Sequence, residues 1–220
     1  MFKDQHLRDY VIKWLIFWMT VMGLFPLVLD NYFGINYENS PFIAMCYYLS
    51  SVFVATKLID FKLVISHVKE NRQLYIMSAL FLAFLFVPLA IEKILPVSPD
   101  MTAFLEKWKF RFPLFRLPIS ISKLSEIIFQ QALVLVLVLH LGSKYNKRES
   151  IKIFTWIFFV LHIPLFIVFQ GAVALIFIIP SLLAGIMFSY AILSYRRGAS
   201  ISLLVHLFFY VGVGIIFRLT

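Results

Sequence analysis

Apolar runs of about 17–23 residues recur through the chain, at about residues 11–29, 41–59, 74–91, 119–141, 151–169, 172–193 and 201–217. A helix rising about 1.5 Å per residue needs about 20 such residues to cross the hydrocarbon core of a bilayer. Only helices and closed barrels satisfy their own backbone polar groups there. The pattern predicts an all-α fold, a polytopic membrane helix bundle of about seven transmembrane helices. Composition agrees, since 62% of the residues are hydrophobic and 14% are charged, whereas about a quarter are charged in a soluble domain. The expected location is integral to a membrane, a bacterial or archaeal plasma membrane. Lys3, Arg8 and Lys13 precede the stretch from Trp14 to Leu29 and no small-x-small cleavage site follows it, so it reads as an uncleaved span rather than a signal peptide.

A formal charge of +9 does not point to nucleic acid, because the Lys and Arg residues cluster between apolar runs as loop charges do. With the N-terminus cytoplasmic, 13 of the 20 basic residues fall on the inner side. Lys93, Lys107, Lys109, Arg111, Arg116 and Lys123 fall instead around the third loop, on the outer side. That loop alternates basic and aromatic residues from Lys107 to Phe112 before Pro113 and Pro118 break any helix. It reads as an interfacial anchor, with a lateral gate or substrate-docking strip as the sharper alternative. Cys46 is the only cysteine, which excludes an intramolecular disulfide and a Cys-based metal cluster. No repeat or flexible linker divides the chain, so residues 1–220 read as one integral membrane domain.

Three ionisable side chains, Glu126, His162 and His206, lie inside separate late runs. An acidic or basic group at the centre of a spanning helix costs about 2.5–3.5 kcal/mol on an insertion scale, so such groups are expected to face one another or a wet cavity. Each has a companion four residues away on its own helix face: Gln130 after Glu126, Phe158 before His162, Tyr210 after His206. A carboxylate and two imidazoles suit water-mediated amide hydrolysis, the first taking a proton from water and the others positioning water or stabilising charge. No Gly-x-Ser-x-Gly, Gly-rich phosphate loop or His-Glu-x-x-His helix is present. Local alternatives stand beside this reading. Glu126 can pair with Lys123, His162 and His206 can be hydrogen-bonded packing residues, and Tyr210 can be core. No cofactor is expected. A metal held by Glu126, His162 and His206 is a lesser option without a His-x-x-x-His pair to support it.

From about Lys123 to Thr220 the order of these motifs resembles the CPBP superfamily, which contains CAAX-type prenyl-protein endopeptidases and Abi-like bacteriocin-processing and immunity proteins. Phe158-Phe159-Val160-Leu161-His162 matches that family's Phe-x-x-x-His motif, and residues 185–206 are similar to its glycine-led helix, basic-glycine turn and final histidine helix. The first motif, Glu-Glu-x-x-x-Arg in the family, reads Ser125-Glu126-x-x-x-Gln130, and Tyr210 stands where asparagine is usual. The resemblance implies a CPBP-like core in the C-terminal four helices, residues 123–220, with residues 1–98 as peripheral helices and 99–122 as the interfacial basic-aromatic segment. It also implies a glutamate-type intramembrane endopeptidase acting on a membrane-adjacent peptide. Glu126 is then the base in place of the missing leading glutamate, His162 acts at the water or leaving group, and His206 and Tyr210 face the oxyanion. Ser125, Gln130 and Phe158 support the site.

Ser125 and Gln130 also favour a rival of another class, a catalytically inactive relative that binds a membrane partner as an immunity, assembly or regulatory subunit. A solute transporter fits poorly, with one carboxylate in the late spans and no matched pair of broken helices. Expected partners are membrane lipid and a membrane-associated peptide or protein, and no nucleic acid.

Overall fold

A computed structural model describes residues 5–70, 72–108, 110–168 and 172–219. Lys3, Lys109 of the basic-aromatic alternation, and the Gln170-Gly171 break between the fifth and sixth runs lie outside them. The described residues are helical, without a strand: α1 Gln5–Leu24, α2 Asn31–Phe33, α3 Pro41–Leu58, α4 Lys62–Glu70, α5 Gln73–Ile94, α6 Pro99–Lys107, α7 Leu117–Lys144, α8 Lys147–His162, α9 Leu165–Val168, α10 Ala172–Ser194 and α11 Gly198–Leu219. The chain is an all-α protein whose long apolar helices suit a membrane bundle.

Among the described residues, six helical stretches are long and apolar enough to cross a membrane: Gln5–Phe33, Pro41–Leu58, Gln73–Ile94, Leu117–Lys144, Ala174–Ser194 and Gly198–Leu219. The fifth expected span is not among them. Its helix, α8, has 16 residues, about 24 Å at the standard rise, and its first two turns carry Lys147, Arg148, Glu149 and Lys152. It stops at His162 because Pro164, lacking an N–H and crowding the preceding turn, prevents regular continuation. The short α9 follows.

The helices divide into two compact units, each assembled from separate stretches of chain, and α5, α7 and α11 contribute to both. The first unit comprises Met1–Asp60, Ser78–Leu133 and Leu207–Thr220. In it, α1 buries Leu7, Val11, Trp14, Trp18 and Val21, a stripe of alternating four- and three-residue steps. The Trp14 indole donates to the Leu133 carbonyl at 2.9 Å. α1 continues through a wider π turn, Phe25–Asp30, into α2, and stops at Gly34 with φ 65°, a left-handed cap that favours glycine. α3 starts at Pro41 and buries Ala44, Tyr48, Ser51 and Ala55 on one stripe.

The basic-aromatic segment belongs to this unit. Phe110, Phe112, Leu114 and Phe115 are buried, with Phe110 at 5.4 Å from Phe217 and Phe112 at 5.7 Å from Tyr210 between ring centroids. Its aromatic half is therefore protein core.

The second unit comprises Phe61–Met77 and Val134–His206. Asn146 caps α8 by accepting from the Glu149 amide at 3.0 Å. α8 and α10 lie side by side, and a Cβ on Gly185 would stand 3.0 Å from the Thr155 Cα, so the glycine permits a close approach. Gln73 is buried and accepts from the Ser200 amide at 3.1 Å, satisfying an N-terminal donor of α11.

Candidate functional site

Glu126 sits in α7 and is 3% exposed. Its companions at three- and four-residue spacing reach it as the helix geometry predicts. Lys123 Nζ lies 2.8 Å and Gln130 Nε2 2.6 Å from Oε1. The third donor comes from far along the chain: Tyr37 in the connector between the first two spans donates its hydroxyl to Oε2 at 2.5 Å. Tyr48 of α3 lies behind it, hydroxyl to hydroxyl at 2.7 Å. A carboxylate offers about four acceptor positions, so three donors occupy most of them.

The connector that delivers Tyr37 is braced by its own polar side chains. Asn36 Oδ1 accepts from the Glu38 and Asn39 amides at 3.0 Å, and Asn39 Nδ2 donates to the Gly34 carbonyl at 2.7 Å. Ser122 Oγ lies 3.0 Å from the Tyr37 carbonyl and 3.1 Å from that of Pro118, and so donates to one of them. Phe25 covers both phenols, with ring centroids 5.0 Å from Tyr37 and 5.4 Å from Tyr48. Burial first, and then the charge of Glu126, push the Tyr37 phenol well above its ordinary range, so it remains a donor. Next to it, Glu38 pairs with Arg116, whose other carboxylate neighbour, Glu106, stands at 3.5 Å. The hydrogen bond to Glu38, outweighing partial burial, holds the Arg116 guanidinium above its usual value.

The remaining residues of the first motif play other parts. Ser125 Oγ donates to the Ser122 carbonyl of its own helix at 2.6 Å, not to Glu126. Gln130, standing where an arginine was expected from the resemblance, does reach the carboxylate, and its Nε2 also lies 3.7 Å from Met22 Sδ. Tyr210 lies with Phe115 at 5.3 Å and has its hydroxyl 3.5 Å from Ser120 Oγ, a long contact.

A second buried polar group of the first unit was not singled out by sequence reasoning. Arg218, its side chain fully buried, donates to the Gly214 carbonyl at 2.8 Å and the Leu114 carbonyl at 3.2 Å, and bonds also to the Pro113 carbonyl and Glu92. Its guanidinium lies 4.3 Å over the Phe115 ring. Phe115 has φ 55°, an uncommon conformation for a residue with a side chain. A Cβ on Gly214 would fall 2.0 Å from Phe115 Cζ, so the glycine leaves the notch that the ring fills. The sequence signal for Arg218 is a lone guanidinium in the last turn of an apolar helix, but nothing in the spacing names its partners.

The two histidines belong to the second unit, with Phe158. His162 Nδ1 lies 2.7 Å from the Phe158 carbonyl, one turn earlier, and its ring is 4.6 Å from the Phe158 ring. The Phe-x-x-x-His spacing is thus a real side-by-side pair. Phe188 of α10 is 5.6 Å from Phe158 and 5.4 Å from His206 between ring centroids, placing two phenylalanines in a chain from one imidazole to the other. Glu126, Ser125, Gln130 and Tyr210 belong to the first unit, so the sequence-predicted set is shared between two bodies. Among the described residues there is no group of three His, Cys, Asp or Glu side chains arranged to hold a metal ion. Set against known protein families, curated proteins and solved structures, the chain matches none of them.

Proposed function

We propose that this chain is a membrane-embedded binding subunit, a non-catalytic relative of the CPBP proteins that holds or regulates a membrane partner. The observation that carries this reading is the state of Glu126. Its carboxylate is engaged by Lys123, Gln130 and Tyr37, which leaves about one of its four acceptor positions for the water that a general base activates. The neighbouring position, which carries the leading glutamate in the resembling family, is Ser125, and its hydroxyl is bonded into its own helix. Glu126 then works as a polar pin that fixes the first connector and α3 against α7.

A second reading, a glutamate-type intramembrane endopeptidase, is favoured by His162. Its Nδ1 is turned to a backbone carbonyl, the arrangement that leaves Nε2 of a neutral imidazole as acceptor. In that reading Glu126 is the base, His162 acts on the water or leaving amine, and His206 and Tyr210 face the oxyanion.

The two readings separate in one experiment. Purified protein in lipid is incubated with a prenylated CAAX-type peptide and with a bacteriocin-type leader peptide, and products are followed by mass spectrometry. The binding reading predicts no cleavage by the wild type. It also predicts that Glu126→Gln lowers membrane abundance of the protein, while His162→Ala and His206→Ala leave abundance near normal. Cleavage that each of the three substitutions abolishes at unchanged abundance establishes the peptidase instead. Ser125→Glu with Gln130→Arg is the complementary probe, since a gain of cleavage identifies a degraded protease site.

A further inference from the structure

We propose that one end of the second unit, where α7 ends and α8 begins, is a docking face for anionic phospholipid headgroups. This inference stands independently of the functional reading above. The stretches that form the unit hold nine Lys and Arg against two acidic residues, Glu70 and Glu149. The cations lie in three connectors: Lys62, Lys69 and Arg72 in and after α4; Lys144, Lys147, Arg148 and Lys152 around the turn from α7 to α8; Arg196 and Arg197 in the turn from α10 to α11. All are exposed.

Contacts within the unit gather these connectors at one end. Gln73, just after Arg72, accepts from the Ser200 amide, just after the Arg196-Arg197 turn. Lys147 Nζ lies 4.4 Å over the ring of Tyr190 in the last turns of α10. A Cβ on Gly142 would come within 2.6 Å of Leu193, so the end of α7 abuts the end of α10. The cations therefore form one field instead of three separate loop charges.

The apolar neighbours of this field identify its occupant as lipid. α4 carries Leu63 and Ile65, 43% and 61% exposed, beside Lys62 and Lys69, as an amphipathic helix lying at a membrane surface does. Tyr190 and Tyr195 are half exposed at the same end, and tyrosine belongs at headgroup level. A dissolved polyanion would neutralise the cations and leave those apolar groups in water. A phospholipid covers both, its phosphate meeting Lys and Arg and its glycerol and acyl region meeting Leu63, Ile65 and the tyrosines.

To test this, full-length protein is equilibrated in mixed micelles with equimolar phosphatidylglycerol and phosphatidylcholine, and the lipid it retains is counted by native mass spectrometry. The expected result is a several-fold excess of phosphatidylglycerol that falls toward parity at about 0.5 M salt, where the screening length is only a few ångströms. The excess is expected to vanish in Lys147→Gln/Arg148→Gln/Arg196→Gln/Arg197→Gln and to survive Lys93→Gln/Lys107→Gln in the first unit. Melting in phosphatidylcholine alone, expected to match the wild type, separates lost recognition from lost folding. If the quadruple variant melts low, Arg196→Gln/Arg197→Gln carries the test and is expected to lose part of the excess. Parity in the wild type, or an excess untouched by these substitutions, overturns the proposal. So does an excess abolished by inorganic phosphate but not by chloride at equal ionic strength, because the face then recognises a free anion.

Discussion

At the scale of single residues, the helix spacing exposes part of the Glu126 cluster and hides the rest. Lys123 and Gln130 stand three and four positions from Glu126, so both bonds follow from helix geometry. Tyr37 is 89 positions away, and no periodicity links it to the carboxylate. Replacing it with Phe leaves a buried acceptor position and the Tyr48 hydroxyl short of a partner, which is expected to cost about 1.5–3 kcal/mol, as for hydrogen bonds to charged groups. Thermal denaturation of the purified variant in lipid measures this. The dependence on pH has a definite sign. The phenol is raised in the folded protein, so its contribution is whole below the ordinary tyrosine value of about 10 and is lost only as pH climbs through the raised value. The stability difference between wild type and Tyr37→Phe is therefore expected to stay constant between about pH 6 and 9, and a marked slope there would contradict the assigned donor. Gly214→Ala forces a methyl group into the space of Phe115, and overpacking of this kind is expected to destabilise by about 1–3 kcal/mol. The same melts, run on that variant, check it.

At the scale of elements, six of the seven apolar runs coincide with helices that, among the described residues, are long and apolar enough to cross a membrane. The exception is instructive, because the fifth run has the composition of a span, but its helix α8 ends before Pro164 and opens with a charged first turn that precedes the run. Hydropathy averages over that break, and the presence of a proline does not by itself predict it, since Pro88 and Pro180 lie inside α5 and α10. The basic-aromatic segment was legible as a departure from regular helix at Pro113, but Pro118, expected to break any helix, lies instead in the first turn of α7, where its missing N–H has no intrahelical partner to lose. The segment's burial depends on Arg218 and on the notch at Gly214, neither of which lies near it in sequence. Helix ends supply two tests. Asn146→Ala removes the cap of α8 and is expected to cost about 1 kcal/mol. Gln73→Ala leaves the Ser200 amide unpaired in a buried place and is expected to cost about 1–3 kcal/mol. Hydrogen exchange that speeds at the first turns of α8 and α11 respectively, and not elsewhere, is the expected signature.

At the scale of the whole molecule, the helices fall into two compact units, each assembled from separate stretches of chain. The sequence does not reveal this, because α5, α7 and α11 pass from one unit to the other without a linker or a change in composition. The consequence falls on the candidate site. Each unit has its own organised polar or aromatic cluster, Glu126 with its donors in one and the histidines with their phenylalanines in the other. Glu126 is assigned the work of holding the first unit together. A double-mutant cycle of Tyr37→Phe and Glu126→Gln, read as melting temperature of the purified protein in lipid nanodiscs, tests that assignment most directly. An amide at position 126 turns one acceptor into a donor among Lys123, Gln130 and Tyr37, so both single variants are expected to melt lower. The double variant is expected to melt well above the sum of the two losses, a coupling of about 0.5–3 kcal/mol. A Glu126→Gln protein that melts with the wild type, and singles that simply add, would contradict it.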